Sequence, residues 1–277
     1  MRIVIAGGTG FLGTALARAW QAGGSTVQVL TRRATRPTDV AWDPGDAEAP
    51  WVAALEGVDV VVNLAGDPLE RGRWTAEKKT SIRRSRVDAT HTLAIAISRL
   101  ARPPRVWLSG SAIGFYGPRD AEPLTEAAPH GGDFLASVCA DWEAAADPAA
   151  AATRLVFLRT GLVLDRRAGA LPRLALPFQF GAGGPLGSGQ QYWSWIHLDD
   201  WVGIARWIVE HDTIRGPVNL TAPGAVTNHE FARILGRTLS RPALLPTPGF
   251  ALRLLLGQMA DALMLNGQRV EIGRAHV

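Results

Sequence analysis

The stretch Met1-Arg2-Ile3-Val4-Ile5-Ala6-Gly7-Gly8-Thr9-Gly10-Phe11-Leu12-Gly13 decides how this chain is read. Residues 2–6 have the apolar character of a buried strand, and a helical pattern of apolar residues covers 11–23. Between them the glycines at 7, 10 and 13 are spaced G-x-x-G-x-x-G. Gly7 lets the chain leave the strand sharply, and Gly10 lets the backbone approach a pyrophosphate with no side chain between. Gly13 allows the helix to pack close to the sheet, while the helix N-terminus offers unpaired N–H groups and a positive dipole end. Strand, glycine turn and helix start together form a dinucleotide-phosphate cradle, with Thr9, Phe11 and Leu12 inside it.

The end of the second strand, 26–31, selects the dinucleotide. An NAD site carries an acidic residue about 20 residues past the turn, on the ribose 2′-hydroxyl. This chain has Thr31-Arg32-Arg33 there, with Arg36 close behind and no acidic residue to repel a phosphate. A guanidinium fork binds a 2′-phosphate bidentately, so the cofactor expected is NADP(H). The plainer reading leaves these arginines as solvated surface charge.

Composition narrows the class. The chain has 277 residues, enough for one large domain or a domain with a small lobe, and 47% of them are hydrophobic. No run approaches the roughly 18 apolar residues of a membrane span, and the N-terminus enters a strand directly, so neither membrane nor signal peptide is expected. One cysteine, Cys139, fits a reducing cytoplasm. The net charge is +4, yet only two of 29 basic residues, Lys78 and Lys79, are lysines. With abundant Ala, Gly and Pro this reads as GC-rich codon usage, and no nucleic-acid partner is expected. The dense run 78–86 reads, on a helix, as a mostly solvated face. No His, Cys and acidic cluster has metal-ligand spacing, so no metal is expected. The oligomeric state stays open. The last seven residues, 271–277, resemble the in-frame translation of a sequencing-library adaptor; they are set aside, His276 included, and the natural chain is expected to continue past Val270.

Strands at 2–6, 26–31, 58–63, 105–110 and 154–158 alternate with helices at 11–23, 75–101 and 134–147. This predicts an α/β fold, a Rossmann-like doubly wound parallel sheet of at least five strands over 1–165. Residues 166–270 read mostly as a small C-terminal substrate lobe, with helix 198–211 returning to the sheet. The glycine-rich segment 181–189 reads as a flexible loop able to cover a ligand. Segments 227–239 and 248–264 read as helices, the latter apolar nearly all round.

With these residues in view, the chain resembles an extended short-chain dehydrogenase/reductase. The matches are the glycine turn, Asn63-Leu64-Ala65-Gly66, Ser109-Gly110-Ser111-Ala112 ahead of Tyr116-Gly117, Arg159-Thr160-Gly161, and Trp195-Ile196-His197-Leu198-Asp199-Asp200. Ser85-Arg86-Val87, Asp141-Trp142-Glu143 and the segment from Arg241-Pro242 to Gly257 resemble an atypical, epimerase-like subfamily whose short C-terminal region has no assigned role. The resemblance implies a Tyr with a Lys four residues later, plus a Ser or Thr. The Tyr transfers a proton; the Lys lowers its pKa and holds the nicotinamide ribose. Ser111 matches the Ser. Counting back from Glu143, the Tyr position falls on Leu135 and the Lys position on Cys139. Four residues beyond Tyr116 stands Asp120, and four beyond Tyr192 stands Ile196, so the pair is absent from the chain.

Three readings of the chemistry remain. Another acid or base serves an oxidoreductase or epimerase-like enzyme, with Ser111 and Tyr116 as leading candidates and His197 and Asp199 next; or the protein binds NADP(H) without turnover, as a regulatory or redox-sensing protein; or the turn serves another nucleotide. The substrate expected is a small molecule, and a sugar nucleotide is implied by the resemblance alone. Asn63, Leu64, Ala65, Gly66 and Ser109 join the cofactor candidates, and Gly66 is expected to permit close backbone approach. Arg159, Trp193, Trp195 and His197 are substrate candidates. The plainer alternatives make Ser111 a satisfied loop hydroxyl, Tyr116 a packed ring with a wet hydroxyl, Arg159 a carboxylate anchor and Asp199 a helix cap. Cys139, with Leu135, Val138 and Trp142, reads as core, as do Trp20, Trp201 and Trp207.

Overall fold

A computed structural model describes residues 1–274. His276 and the rest of 275–277 lie outside the described residues. In chain order the strands are β1 (Arg2–Ala6), β2 (Thr26–Thr31), β3 (Asp39–Ala41), β4 (Val60–Asn63), β5 (Val106–Ala112), β6 (Pro123–Leu124), β7 (Arg154–Thr160), β8 (Leu162–Leu164), β9 (Tyr192–Trp193), β10 (Trp195–His197), β11 (Gly216–Leu220), β12 (Val226–Thr227) and β13 (Arg269–Val270). The helices that place the site are α1 (Phe11–Ala22), α2 (Ala76–Ser98), α3 (Phe134–Ala144), α4 (Leu171–Gln179), α5 (Leu198–Glu210), α6 (Asn228–Thr238) and α7 (Gly249–Leu256).

Seven strands form one parallel sheet in the order β11-β7-β5-β4-β1-β2-β3. Two of them, β3 and β11, escape a reading of the sequence. β3 is three residues long and half-buried, and Pro217 interrupts the apolar pattern of β11. The period of two then divides the core. Ile3, Ile5, Val60, Val62, Val106 and Leu108 face α1 and α5, with Leu16, Trp20, Trp201 and Ile208. Val4, Ala6, Val61 and Trp107 face α2, with Ala89, Leu93 and Ile97. Both faces are covered, as a parallel sheet requires. No helix among the described residues is long and apolar enough to cross a membrane.

Beyond β8 the chain departs further from expectation. α4 was not legible, because Pro172 and Pro177 both stand inside its range. Segment 248–264 is no continuous helix: Gly257, at φ +63°, ends α7, and a short helix and a π-turn follow. Its apolar face is not covered, and Phe250, Leu254 and Leu255 are 72%, 77% and 70% exposed. The 181–189 segment is no free loop either. Leu186 N–H donates to Asn228 Oδ1 (2.7 Å), Gly187 N–H to the Thr247 carbonyl (2.9 Å), and the Gly189 carbonyl accepts from His229 N–H (2.8 Å).

The approach of α1 to β1 depends on Gly13. A Cβ there would strike the Gly7 carbonyl and lie 2.7 Å from Gly8 Cα. Gly13→Ala is therefore expected to cost about 1–3 kcal/mol and to lower Tm by roughly 2–12 °C, at about 2–4 °C per kcal/mol. Gly203→Ala, on α5 with nothing within 4 Å of the new Cβ, is expected to leave Tm unchanged or raise it. Thermal unfolding followed by circular dichroism compares the two.

Candidate functional site

A cleft of about 1040 Å³ opens over the carboxyl ends of β1, β2 and β4, where ligands bind in doubly wound sheets. Gly7, Thr9 and Gly10 form its floor. Gly7 holds φ +78°, and a Cβ on it would fall 2.6 Å from the Leu64 carbonyl carbon and 2.8 Å from Ala65 N. The turn closes with Gly10 N–H donating to the Gly7 carbonyl at 3.0 Å. Gly10 is the N-cap of α1, yet no side chain caps the helix and its first turn holds no acidic residue. The helix thus presents an unblocked positive end to the cleft, as an anion site needs. Phe11 turns away to pack on Gly169, and Leu12 packs against the core.

Thr31 and Arg32 form the wall beyond β2. Arg32 is exposed and makes no ion pair with a described residue, whereas Arg36 is bound to Asp39 at 3.0 Å. Arg33 is exposed beside the cleft, with its backbone N–H on Thr31 Oγ1 (3.3 Å). The Trp42-Asp43-Pro44-Gly45 segment lines the same end.

Leu64, Ala65 and Gly66 form the opposite wall, held by Asn63. The Asn63 side chain accepts from Ala65 N–H (3.1 Å) and donates to Thr90 Oγ1 (2.8 Å). The same Thr90 oxygen accepts from Trp142 Nε1 (2.8 Å), so one buried hydroxyl joins β4, α2 and α3. Trp142 packs where a Gly110 Cβ would stand, at 2.8 Å. Ser109, opposite Asn63 in the sheet, is fully buried and its hydroxyl has no partner among the described residues. The 78–86 run is not the solvated face expected of it. Lys78 binds Asp67 (2.7 Å) and the Pro68 carbonyl (2.8 Å), Arg83 binds Asp141, and Arg86 lies over Trp142. Burial opposes the charge of Asp67, but bonds from Lys78 and Ser81 outweigh it and hold the carboxyl below its usual range.

The candidate catalytic residues lie together but apart from this cleft. Ser111 and Asn219 flank Arg159 in the sheet register. Arg159, 3% exposed, forks onto Glu143 through Nε (2.8 Å) and Nη2 (2.9 Å) and donates from Nη1 to the Tyr116 oxygen (3.0 Å). Ser111 Oγ donates to Glu143 Oε1 (2.6 Å), and the Tyr116 hydroxyl donates to Asn219 Oδ1 (2.6 Å). The Tyr116 hydroxyl is not wet, as the plainer alternative had it: the residue is fully buried and its oxygen is enclosed by Arg159 and Asn219. Burial pushes its phenol above the usual value, offset in part by Arg159. Burial is the largest single influence on Arg159 and opposes its charge, but its hydrogen bonds to Glu143 and Tyr116, with the charge of Glu143, together outweigh it and raise the guanidinium. Arg159 is thus an anchor facing inward. Trp193 packs on Phe231 (5.0 Å between centroids), Trp195 is half-buried in β10, and neither lines the cleft. His197 is exposed and caps α5 by accepting from Asp199 N–H (3.2 Å), the role expected of Asp199.

Comparison with known proteins decides the family. The model of the "NAD dependent epimerase/dehydratase family" matches residues 3–220, and a second, "Domain of unknown function (DUF1731)", matches 247–275. The chain belongs to the NAD dependent epimerase/dehydratase family. Epimerase family protein SDR39U1 of Mus musculus is 38% identical over 280 residues, covering 98% of this chain and 91% of that protein. Epimerase family protein YfhF of Bacillus subtilis is 37% identical over 276 residues, covering 97% and 89%. The crystal structure of human SDR39U1 (isoform2) with NADPH superposes with a TM-score of 0.90 at 35% identity, over 99% of this chain and 92% of that one.

Within this epimerase family fold, the two positions where the Tyr-Lys pair would fall lie on α3. Leu135 is half-buried, and Cys139 is buried, its thiol pushed up to about 12 by burial and then by the Glu143 charge. Thr90, Glu126 and Asn219 escape a reading of the sequence. Glu126 accepts from Asn219 N–H (3.0 Å). No spacing signals a lone buried Thr or Glu, and Asn219 belongs to the strand that Pro217 obscures.

Two outcomes follow from this geometry. Cys139 is expected to resist a disulfide reagent at pH 8 in the native protein and to react at once in guanidinium, since its thiol stays neutral and enclosed. Glu143→Gln, which leaves the Arg159 charge buried without its anion, is expected to destabilise the protein by about 3–5 kcal/mol in urea unfolding.

Proposed function

We propose that the protein is an NADP(H)-dependent oxidoreductase or epimerase-like enzyme acting on a small substrate without a Tyr-Lys pair. The observation that carries this reading is the pairing of an unblocked glycine cradle with Arg32, an exposed guanidinium at the end of β2 that has no ion-pair partner among the described residues. Backbone N–H groups of the turn would hold the pyrophosphate, and Arg32, with Arg33 beside it, would hold the 2′-phosphate. NADPH, when bound, supplies a hydride. The family match and the NADPH carried by the human relative support the same cofactor. Glu143 holds Ser111 and Asn219 holds Tyr116, so any proton the reaction needs comes from elsewhere than a tyrosine activated by lysine. A second reading, an NADP(H)-binding regulatory protein without turnover, is favoured by that same enclosure.

Titration of NADPH and NADH, read by energy transfer from tryptophan to nicotinamide, tests the cofactor. Tight NADPH and weak NADH binding are expected, and Arg32→Ala is expected to weaken NADPH about 10- to 100-fold, the worth of one charged hydrogen bond, while leaving NADH unchanged. Equal affinity for the two nucleotides overturns the NADP(H) assignment. Oxidation of bound NADPH by a panel of carbonyl compounds and sugar nucleotides separates the two readings: turnover with any of them supports the enzyme, and none supports the regulator.

A further inference from the structure

Arg86 is a half-buried cation set against the cofactor cleft without an anion. Its Nη1 donates to the carbonyls of Asp67 (3.1 Å) and Ile82 (3.0 Å), and its guanidinium stacks 5.4 Å from the Trp142 ring. Asp67 is taken by Lys78 at 2.7 Å and Asp141 by Arg83, and no carboxylate among the described residues pairs with Arg86. The N–H groups on Nε and Nη2 have no partner among the described residues, although a guanidinium placed out of water is costly unless its donors are used. The cleft meets Arg86 at Gly66. Gly66 lines the cleft and Arg86 stands behind it: a Cβ on Gly66 would fall 3.0 Å from Arg86 Cζ and 3.1 Å from Nη2, so no side chain of that wall residue separates the fork from the cleft.

The sheet order says which part of a ligand passes this point. Arg32 ends β2, the glycine turn ends β1, Gly66 follows β4, and Trp142 lies on Gly110 of β5. These strands are consecutive in the sheet. A dinucleotide with its 2′-phosphate on Arg32 and its pyrophosphate on the turn therefore directs its other nucleoside toward β4 and β5. The charge of Arg86 also reaches Cys139, where the resemblance would put a lysine. We propose that Arg86, from α2, holds the nicotinamide ribose hydroxyls of NADP(H) through Nε and Nη2. This rests on the cofactor reading above. The competing role is that of a strut for the 64–67 wall.

Calorimetric titration with NADPH, 2′-phospho-ADP-ribose and 2′,5′-ADP separates these roles. The second ligand lacks only the nicotinamide, and the third lacks the whole distal half. Arg86→Gln is expected to weaken NADPH and 2′-phospho-ADP-ribose about tenfold, the worth of one hydrogen-bonding contact, and to leave 2′,5′-ADP unchanged. Unchanged NADPH binding overturns the inference, as does an equal loss for all three ligands, the mark of a collapsed wall. A loss confined to NADPH overturns the ribose assignment. Gly66→Ala, which presses on the fork while keeping the arginine, is expected to give the same pattern if Arg86→Gln does not fold, and unchanged NADPH binding by it then overturns the inference. Arg32→Ala is expected to weaken all three ligands. A wild-type chain that binds none of them overturns the cofactor reading itself, whereas wild-type binding with NADPH unaffected by Arg86→Gln overturns this inference alone.

Discussion

Arg159 leaves β7 with its guanidinium buried, and the two-pronged contact it makes with Glu143 of α3 organises the carboxyl edge of the sheet around it. A charge out of water at this depth is tolerated only when its donors are satisfied and an opposite charge stands close. Glu143 meets the second demand, and Tyr116 with the Glu126 carbonyl helps meet the first. The pair then sets terms for its neighbours. Ser111 gives its hydroxyl to the carboxylate, and Tyr116 is drawn in to bridge Arg159 and Asn219. Side chains at a position where α/β folds usually display chemistry are thereby tied into one buried network.

The two ends of the cleft work by different physics. At the glycine turn the binding surface is backbone, made available by the side chains that are absent. At the wall after β4 it rests on side chains and their hydrogen bonds, with Thr90 as the shared acceptor for Asn63 and Trp142. Buried networks of this kind hold one arrangement firmly when every member is satisfied. The result is a wall tied by hydrogen bonds, opposite an arginine with no ion-pair partner among the described residues.

The first half of the fold was legible because local chemistry and long-range packing agree there. Residues 2–13 carry the strand, turn and helix signals in one run, and the apolar triplet of β4 suits a strand buried on both faces. Legibility failed where local signals conflict with the fold, at Pro217 in β11 and at Pro172 and Pro177 in α4. It failed also where function depends on partners distant in sequence. Tyr116 and Asn219 are 103 residues apart, and no spacing rule connects them. Arg86 lay inside a charge run that reads as solvated, because sequence does not show which face of a long helix turns inward. The glycine at 66 was legible as a site of close approach, but not what approaches it.

The strand order has a consequence for synthesis on the ribosome. Among these strands β1 is made before the others and lies inside the sheet, so both of its edges are open to strands made later. β2 and β3 complete one side early, while β4, β5, β7 and β11 extend the other in the order in which they are translated. Each new strand finds the edge laid down before it, and no strand must be inserted between two already paired. The last edge, that of β7, stays open until Gly216–Leu220 is made, and a parallel edge waiting for a distant partner is where a nascent chain is most exposed to pairing with another. Pro217 in that edge strand lacks an N–H, which leaves one donor fewer for a further strand to pair with.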